Sequence, residues 1–261
     1  MRRLATALLS TALLTSCGNL NFYSDEELEP LSVQAYAEAQ KENPPVTSGA
    51  DYEMVQRVAS RITRAADENF PWEAKLLRAD NVPNAFCLPN GRIAIFTGIL
   101  PITQNEAGLA AVMGHEVAHA TLRHGGKRMT QGMMTQAAMT AVDTGMKMAE
   151  MEAGSHDVVM GVLGAGAQYG VLLPYSREHE SEADILGIRY AIRAGYDPYE
   201  APKLWERMAQ LGDSGPEWMS THPNPLNRAE KLREMIPQII EEEKNWQPKA
   251  TKQVTPGAVG R

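Results

Sequence analysis

The chain has 261 residues, of which 43% are hydrophobic and 22% charged, an ordinary globular composition long enough to bury a sizeable core. No long linker or internal repeat divides it, so one domain is expected. The net charge of −7, with no basic stripe and no Lys/Arg interleaved with aromatics, excludes nucleic acid as a partner.

Arg2 and Arg3 precede an apolar run from Leu4 to Leu14 that is too short to span a bilayer permanently. Residues 1–16 read as a secretory signal. The run ends Leu14-Thr15-Ser16-Cys17, a pattern that resembles the bacterial lipobox. Cleavage is then expected before Cys17, with lipid on its thiol; an ordinary signal peptide holding a chance cysteine is the alternative. Gly18 rather than Asp follows the cysteine, which points to the periplasmic face of the outer membrane in a Gram-negative bacterium. Cys87 is the only other cysteine, so no intramolecular disulfide is expected.

Residues 17–50 read as a polar tether with a short helix around Val33–Lys41. Asp51 is expected to cap a helix reaching Asp67, with Met54, Val55, Val58, Ile62 and Ala65 at helical spacing. Trp72–Arg78 suits a strand. Asn84–Leu88 and Arg92–Thr97 suit two strands joined at Pro89-Asn90-Gly91, where Asn-Gly signals a hairpin. A helix from Gln104 to His124 is expected to close at Gly125-Gly126. Residues 129–173 are rich in Met, Ala and Gly. The uncharged stretch Val158–Leu173 is short for a membrane span, and a buried or half-buried helical hairpin is the preferred reading. Helices over Arg177–Ala194, Pro198–Leu211 and Asn227–Glu243 follow, then a tail over residues 246–261 expected to be disordered. The fold class expected is α+β: mostly helical, with a small antiparallel sheet or hairpin beside the helix at 104–124.

The chemistry is concentrated in His115-Glu116-Val117-Ala118-His119. Positions i and i+4 share a helix face, so both imidazoles can reach one metal. Glu116 then lies beside that metal and can take a proton from water. The surrounding Ala107–Thr121 stretch is small and apolar, and burying two His and a Glu there costs several kcal/mol without a partner. A third ligand is best supplied from Glu178–Asp184, where Glu180 and Asp184 lie four apart on one helix face: one of them can bind the metal while the other hydrogen-bonds a ligand imidazole. Glu178 and Glu182 read as a solvated acidic face. His124 turns off the metal-facing side and reads as structural, and His156 carries no argument.

His115-Glu116-x-x-His119 followed by Glu180-x-x-Ala183-Asp184 resembles the gluzincin family of CAAX prenyl endopeptidases and bacterial heat-shock membrane peptidases, and most resembles its periplasmic lipoprotein branch. Asn84-Ala85-Phe86 through Gly98-Ile99-Leu100, Leu173–Arg177, and Thr221-His222-Pro223 with Arg228 are similar to further family motifs. The likeness covers roughly residues 50–240, which places a metallopeptidase domain over 51–245. Asn90 stands where relatives often have Gly. No helical-repeat extension follows residue 245, so partner binding through repeats is not expected.

The resemblance implies one Zn2+ per chain, held by His115, His119 and Glu180, with Glu116 as general base. It implies that Asn84, Ala85, Phe86 and Cys87 form an edge strand pairing with extended substrate. It also brings His222 and Arg228 to the metal, to stabilise the oxyanion or, for His222, to fill the fourth coordination position at rest. Unfolded or misfolded envelope proteins are the expected substrates, with the membrane reached through lipid at Cys17. Two other readings stand beside this one: a lipid-anchored chaperone using the Met-rich segment, and a structural zinc site. The oligomeric state is not legible.

Overall fold

A computed structural model describes residues 20–148, 176–211, 222 and 225–248. The signal segment, Cys17, Val158–Leu173, Leu173–Tyr175, Thr221, Pro223 and the tail beyond residue 248 lie outside the described residues. The described chain is mostly helical, with one four-stranded sheet, so the α+β expectation holds.

The chain enters through helix α1 (Asp25–Glu42), longer than the short helix expected around Val33–Lys41. Ser24 starts it with a capping box: its side chain accepts from Glu27 N–H, and Glu27 returns a bond to Ser24 N–H. Pro30 lies inside the helix, and a proline there ordinarily argues for a break. The cap and the burial of Leu28, Ser32 and Tyr36 outweigh it. Tyr36 anchors α1 to the sheet by donating its hydroxyl to Ile93 C=O at 3.0 Å.

Strand β1 (Pro45–Val46) leads to helix α2 (Ala50–Ala66), then β2 (Glu73–Leu77), β3 (Ala85–Cys87) and β4 (Arg92–Phe96). Gly49 rather than Asp51 sits at the N-cap of α2; Asp51 lies in its first turn. The sheet order is β1-β2-β4-β3. β3 and β4 form the expected antiparallel hairpin, but β2 runs parallel to β4, so the sheet is mixed. The turn also differs from a two-residue Asn-Gly turn. Gly91 N–H bonds Leu88 C=O, and Gly91 alone has positive φ (84°), giving a three-residue loop with the glycine in the left-handed position.

Alternation along the strands divides the core. Leu76, Ile93 and Ile95 face one side, where α2 and the later helices pack. Leu77, Ala94 and Phe96 face the other, under Tyr36 of α1. After a 3-10 turn at Thr97–Ile99 come a short helix α3 (Leu100–Thr103), the central helix α4 (Glu106–Thr121) and α5 (His124–Met148). The expected closure of α4 at Gly125-Gly126 is not seen. The break falls at Leu122–Arg123, where Arg123 takes a left-handed φ of 57°, and both glycines lie inside α5. Helices α6 (Arg177–Arg193), α7 (Glu200–Ala209) and α8 (Pro225–Glu243) complete the described fold. No described helix is long and apolar enough to cross a membrane.

Candidate active site

Asn105 caps α4 by accepting from Gly108 N–H at 2.8 Å, and Ser176 caps α6 by accepting from His179 N–H at 3.1 Å. These caps set where His115, Glu116 and His119 fall on α4 and where Glu180 and Asp184 fall on α6. The two helices cross at a glycine pair. A Cβ on Gly187 would lie 2.8 Å from His115 N, and one on Gly114 would lie 2.7 Å from Gly187 C=O. Only glycine permits that approach, and it brings the α6 carboxylates onto the α4 imidazoles.

His115, His119, Glu180 and His222 converge, with one ligand atom from each within 4.8 Å of the others. His115 Nε2 is 3.0 Å from His119 Nε2 and 3.1 Å from His222 Nδ1. Glu180 Oε1 is 2.8 Å from His222 Nδ1 and 3.3 Å from His119 Nε2. Four donors with metal bonds of ~2.1 Å in a tetrahedron would stand about 3.4 Å apart, so the set fits a zinc ion. All four side chains are buried.

The charges make the same point. Glu116, Glu180 and Asp184 are buried with a single buried guanidinium, Arg228, an excess of acidic groups that a divalent cation would offset. Glu180 Oε2 and Arg228 Nη1 lie 2.5 Å apart, yet neither has an aligned hydrogen bond among the described residues. Burial pushes the His115 pKa down, but hydrogen bonds to Asp184 and Glu180 outweigh it and raise it to about 9. The carboxylates therefore favour a cation at this nitrogen cluster. Burial opposes charge on Glu180, but His222 and the other two imidazoles hold its carboxyl well below the usual range. His119 is pushed well below its ordinary value by burial, which keeps it a neutral donor.

Behind these residues, Asp184 Oδ1 lies 3.1 Å from His115 Nδ1, the contact expected of it. Arg228 grips both Asp184 oxygens, through Nε at 2.7 Å and Nη2 at 2.5 Å. Its guanidinium lies 3.5 Å over the Trp205 ring. Arg228 thus sits behind the ligands, holding Asp184 and Glu180. Sequence spacing makes His124 structural and Glu182 part of a solvated face, yet the two form a chain behind His119. His124 Nδ1 is 3.0 Å from His119 Nδ1, and His124 Nε2 is 3.0 Å from Glu182 Oε2. Burial, then the neighbouring His179 and Lys127, push the His124 pKa down to about 3. No helical periodicity signals this chain, because it depends on Arg123 leaving the helical conformation. Trp205 likewise carries no sequence signal beyond being an aromatic on the buried stripe of α7.

In front of the site a cleft of about 630 Å³ is lined by Glu116, His119 and His222, by β3, and by apolar residues including Leu28, Leu31, Phe86 and Met129. β3 is a sheet edge. Phe96 N–H bonds Asn84 C=O and Leu88 N–H bonds Arg92 C=O, so residues 84, 86 and 88 face β4. The backbone groups of Ala85 and Cys87 then face outward, although Ala85 N–H is held by Asn84 Oδ1 at 2.8 Å. Glu116 Oε1 lies 3.4 Å from His222 Nε2, at the junction of cleft and ligand cluster. The structure thus gathers every expected site residue except Cys17, which lies outside the described residues.

Residues 50–236 match the family described as Peptidase family M48. The chain is 37% identical over 188 residues to the mitochondrial metalloendopeptidase OMA1 of Schizosaccharomyces pombe, covering 70% of this chain and 52% of that protein. It is 29% identical over 229 residues to the Danio rerio mitochondrial metalloendopeptidase OMA1, covering 82% of this chain and 47% of that one. It is 30% identical over 195 residues to the beta-barrel assembly-enhancing protease of Escherichia coli K12, covering 69% and 39%. The chain spans about half the length of these relatives, or less. With the zinc-compatible cluster at its centre, the chain belongs to peptidase family M48, a family of zinc metallopeptidases.

Proposed function

We propose that this protein is a zinc-dependent endopeptidase that cuts unfolded or misfolded envelope proteins, anchored through lipid on Cys17 at the periplasmic face of the outer membrane. The observation that carries the catalytic part is the placement of Glu116 between a buried His115–His119–Glu180–His222 cluster and a cleft walled by a sheet edge. Zinc held by His115, His119 and Glu180 would polarise the scissile carbonyl and bring the pKa of water towards neutrality. Glu116 accepts the proton from the attacking water and passes it to the leaving amine nitrogen as the C–N bond breaks. His222 reaches the same space and would serve either as a further metal ligand at rest or as a donor to the developing oxyanion. Arg228 keeps Glu180 and Asp184 in place, because both carboxylates already occupy its guanidinium.

The outward backbone groups of Ala85 and Cys87 support strand addition, which reads main chain more than sequence. The lipobox-like Leu14–Cys17 supports the anchor, and the name of the Escherichia coli relative supports an envelope role. Relatives named as mitochondrial show that the domain is not confined to one compartment. Replacing Glu116 with Gln tests the chemistry. The variant should fold, keep its zinc and lose roughly 10²–10⁴-fold in casein hydrolysis. Turnover within a few-fold of the parent at equal zinc content would remove Glu116 as base. A chaperone reading draws on exposed Met129 and Met133 near the cleft. If E116Q holds unfolded clients as the parent does, and the parent leaves them uncut, that reading prevails.

A further inference from the structure

We propose that His124, backed by Glu182, is a positioning residue for the metal site: it accepts the Nδ1 proton of His119 and so turns the Nε2 lone pair of His119 to the zinc position. This rests on the zinc peptidase reading above.

The argument follows the hydrogens. A carboxylate only accepts, so the 3.0 Å contact between Glu182 Oε2 and His124 Nε2 places a proton on that nitrogen. A neutral imidazole carries one N–H, which leaves His124 Nδ1 as an acceptor. The 3.0 Å contact between His124 Nδ1 and His119 Nδ1 then needs its proton on His119. His119 Nε2 is left bare, and it is the nitrogen that faces His115 Nε2 at 3.0 Å and Glu180 Oε1 at 3.3 Å. The opposite tautomer would aim an N–H at the metal position.

The first ligand reaches the same end by a different route, because His115 Nδ1 donates directly to Asp184 Oδ1 at 3.1 Å. His119 instead donates to an imidazole that is itself backed by a carboxylate. The fold invests in this arrangement. Arg123 adopts a left-handed φ of 57°, and its guanidinium is tied to Asp25 at 3.1 and 2.8 Å. That turn brings His124, five residues past His119, back against it. His179 stacks on the His124 ring with centroids 4.3 Å apart and planes 22° apart. Helix α6 thus supplies a metal ligand (Glu180), the acceptor for His124 (Glu182) and the ring that fixes its plane (His179), all within one turn.

The test compares zinc affinity, by competition with a chelating indicator at fixed pH, for the parent, His124→Leu, His124→Asn and Glu182→Ala. Leucine fills the space without an acceptor, and H124L should bind zinc about 10–100-fold more weakly. The Asn Oδ1 takes the place of Nδ1, so H124N should stay within a few-fold of the parent. The partly exposed Glu182 is tolerant of change, and E182A should lose several-fold. If H124L binds zinc like the parent, or if H124N is as weak as H124L, His124 acts by packing alone and the proposal falls. Imidazole 15N NMR of the zinc-loaded parent is independent of any variant's folding. It should show His124 protonated at Nε2 and bare at Nδ1, and a proton on Nδ1 overturns the proposal. A parent that binds no zinc at all would instead refute the metallopeptidase reading.

Discussion

The two sides of the cleft are built on opposite principles. On the metal side, α4 and α6 meet backbone to backbone at Gly114 and Gly187, and the charged groups between them are buried and mutually engaged. On the substrate side, β3 is an edge strand of the described sheet, and the lining residues of α1 and α5 include exposed apolar side chains, with Leu31 at 52% and Met129 at 37% of their full surface. Ligand geometry tolerates only a few tenths of an ångström of error, which a helix crossing with no side chain between the backbones supplies. Recognition of varied polypeptides asks for main-chain pairing and adaptable apolar contact, which a sheet edge with Leu and Met supplies. Changes on the first side should therefore act on zinc and folding, and changes on the second on substrate affinity alone.

The largest effect should come from removing the α6 ligand. Glu180→Ala takes away the carboxylate that touches all three imidazoles and Arg228. The purified variant should lose its zinc by metal analysis and its peptidase activity with it. Full zinc retention would mean that His115, His119 and His222 suffice. Next comes the crossing itself. A methyl on Gly187 would press into the backbone of Gly114 and His115, at 2.9 and 2.8 Å, where nothing flexible can give way. Gly187→Ala should cost roughly 1–3 kcal/mol in denaturant unfolding and weaken zinc binding. A stability loss with unchanged zinc affinity would show that the crossing serves folding only.

A third change sharpens the comparison by leaving both sides of the cleft alone. Glu243 at the end of α8 accepts from Arg189 at 2.7 Å and from Arg193 at 2.6 and 3.1 Å, tying α8 to α6. Burial opposes its charge, but Arg193 and Arg189 prevail and lower its pKa. A carboxylate lowered by folding stabilises the fold above its unfolded pKa and stops doing so as pH falls through the folded value. Glu243→Gln should cost about 2 kcal/mol at pH 7, less than a fully buried pair because both arginines reach solvent. The gap in Tm between parent and variant should hold near neutrality and shrink in acid. A gap that does not change with pH would mean the ion pairs contribute nothing.

The metal side was also the more legible one. His115, Glu116, His119, Glu180 and Asp184 are spaced by the helical repeat, and periodicity within one helix is local information. Helices α2, α6, α7 and α8 were visible for the same reason. What escaped was non-local or locally disfavoured. The parallel pairing of β2 with β4 joins residues separated by the whole β3 hairpin. Helix α1 runs through Pro30 because tertiary burial of Tyr36 and Leu28 overrides a helix breaker. The left-handed Arg123 is a conformation that an arginine rarely adopts and that no pattern announces, so the partnership of His124 with His119 could not be read from spacing.

The smallest expected effect belongs to the substrate side. Leu31 on α1 lines the same cleft as β3 and is half exposed in the free protein. A peptide laid along β3 would cover part of that side chain. Burying about half a leucine yields on the order of 1 kcal/mol, or roughly five-fold in affinity. Leu31→Ser should therefore raise KM about five-fold for a peptide with a bulky apolar residue beside the scissile bond, and leave kcat, zinc content and Tm at parental values. A peptide carrying Gly or Ser there should show little difference between parent and variant, because it has no apolar surface to lose. The split between KM and kcat decides the matter. If kcat falls with KM unchanged, α1 helps to set the catalytic geometry, and the division between a rigid metal side and an adaptable substrate side is wrong at this wall.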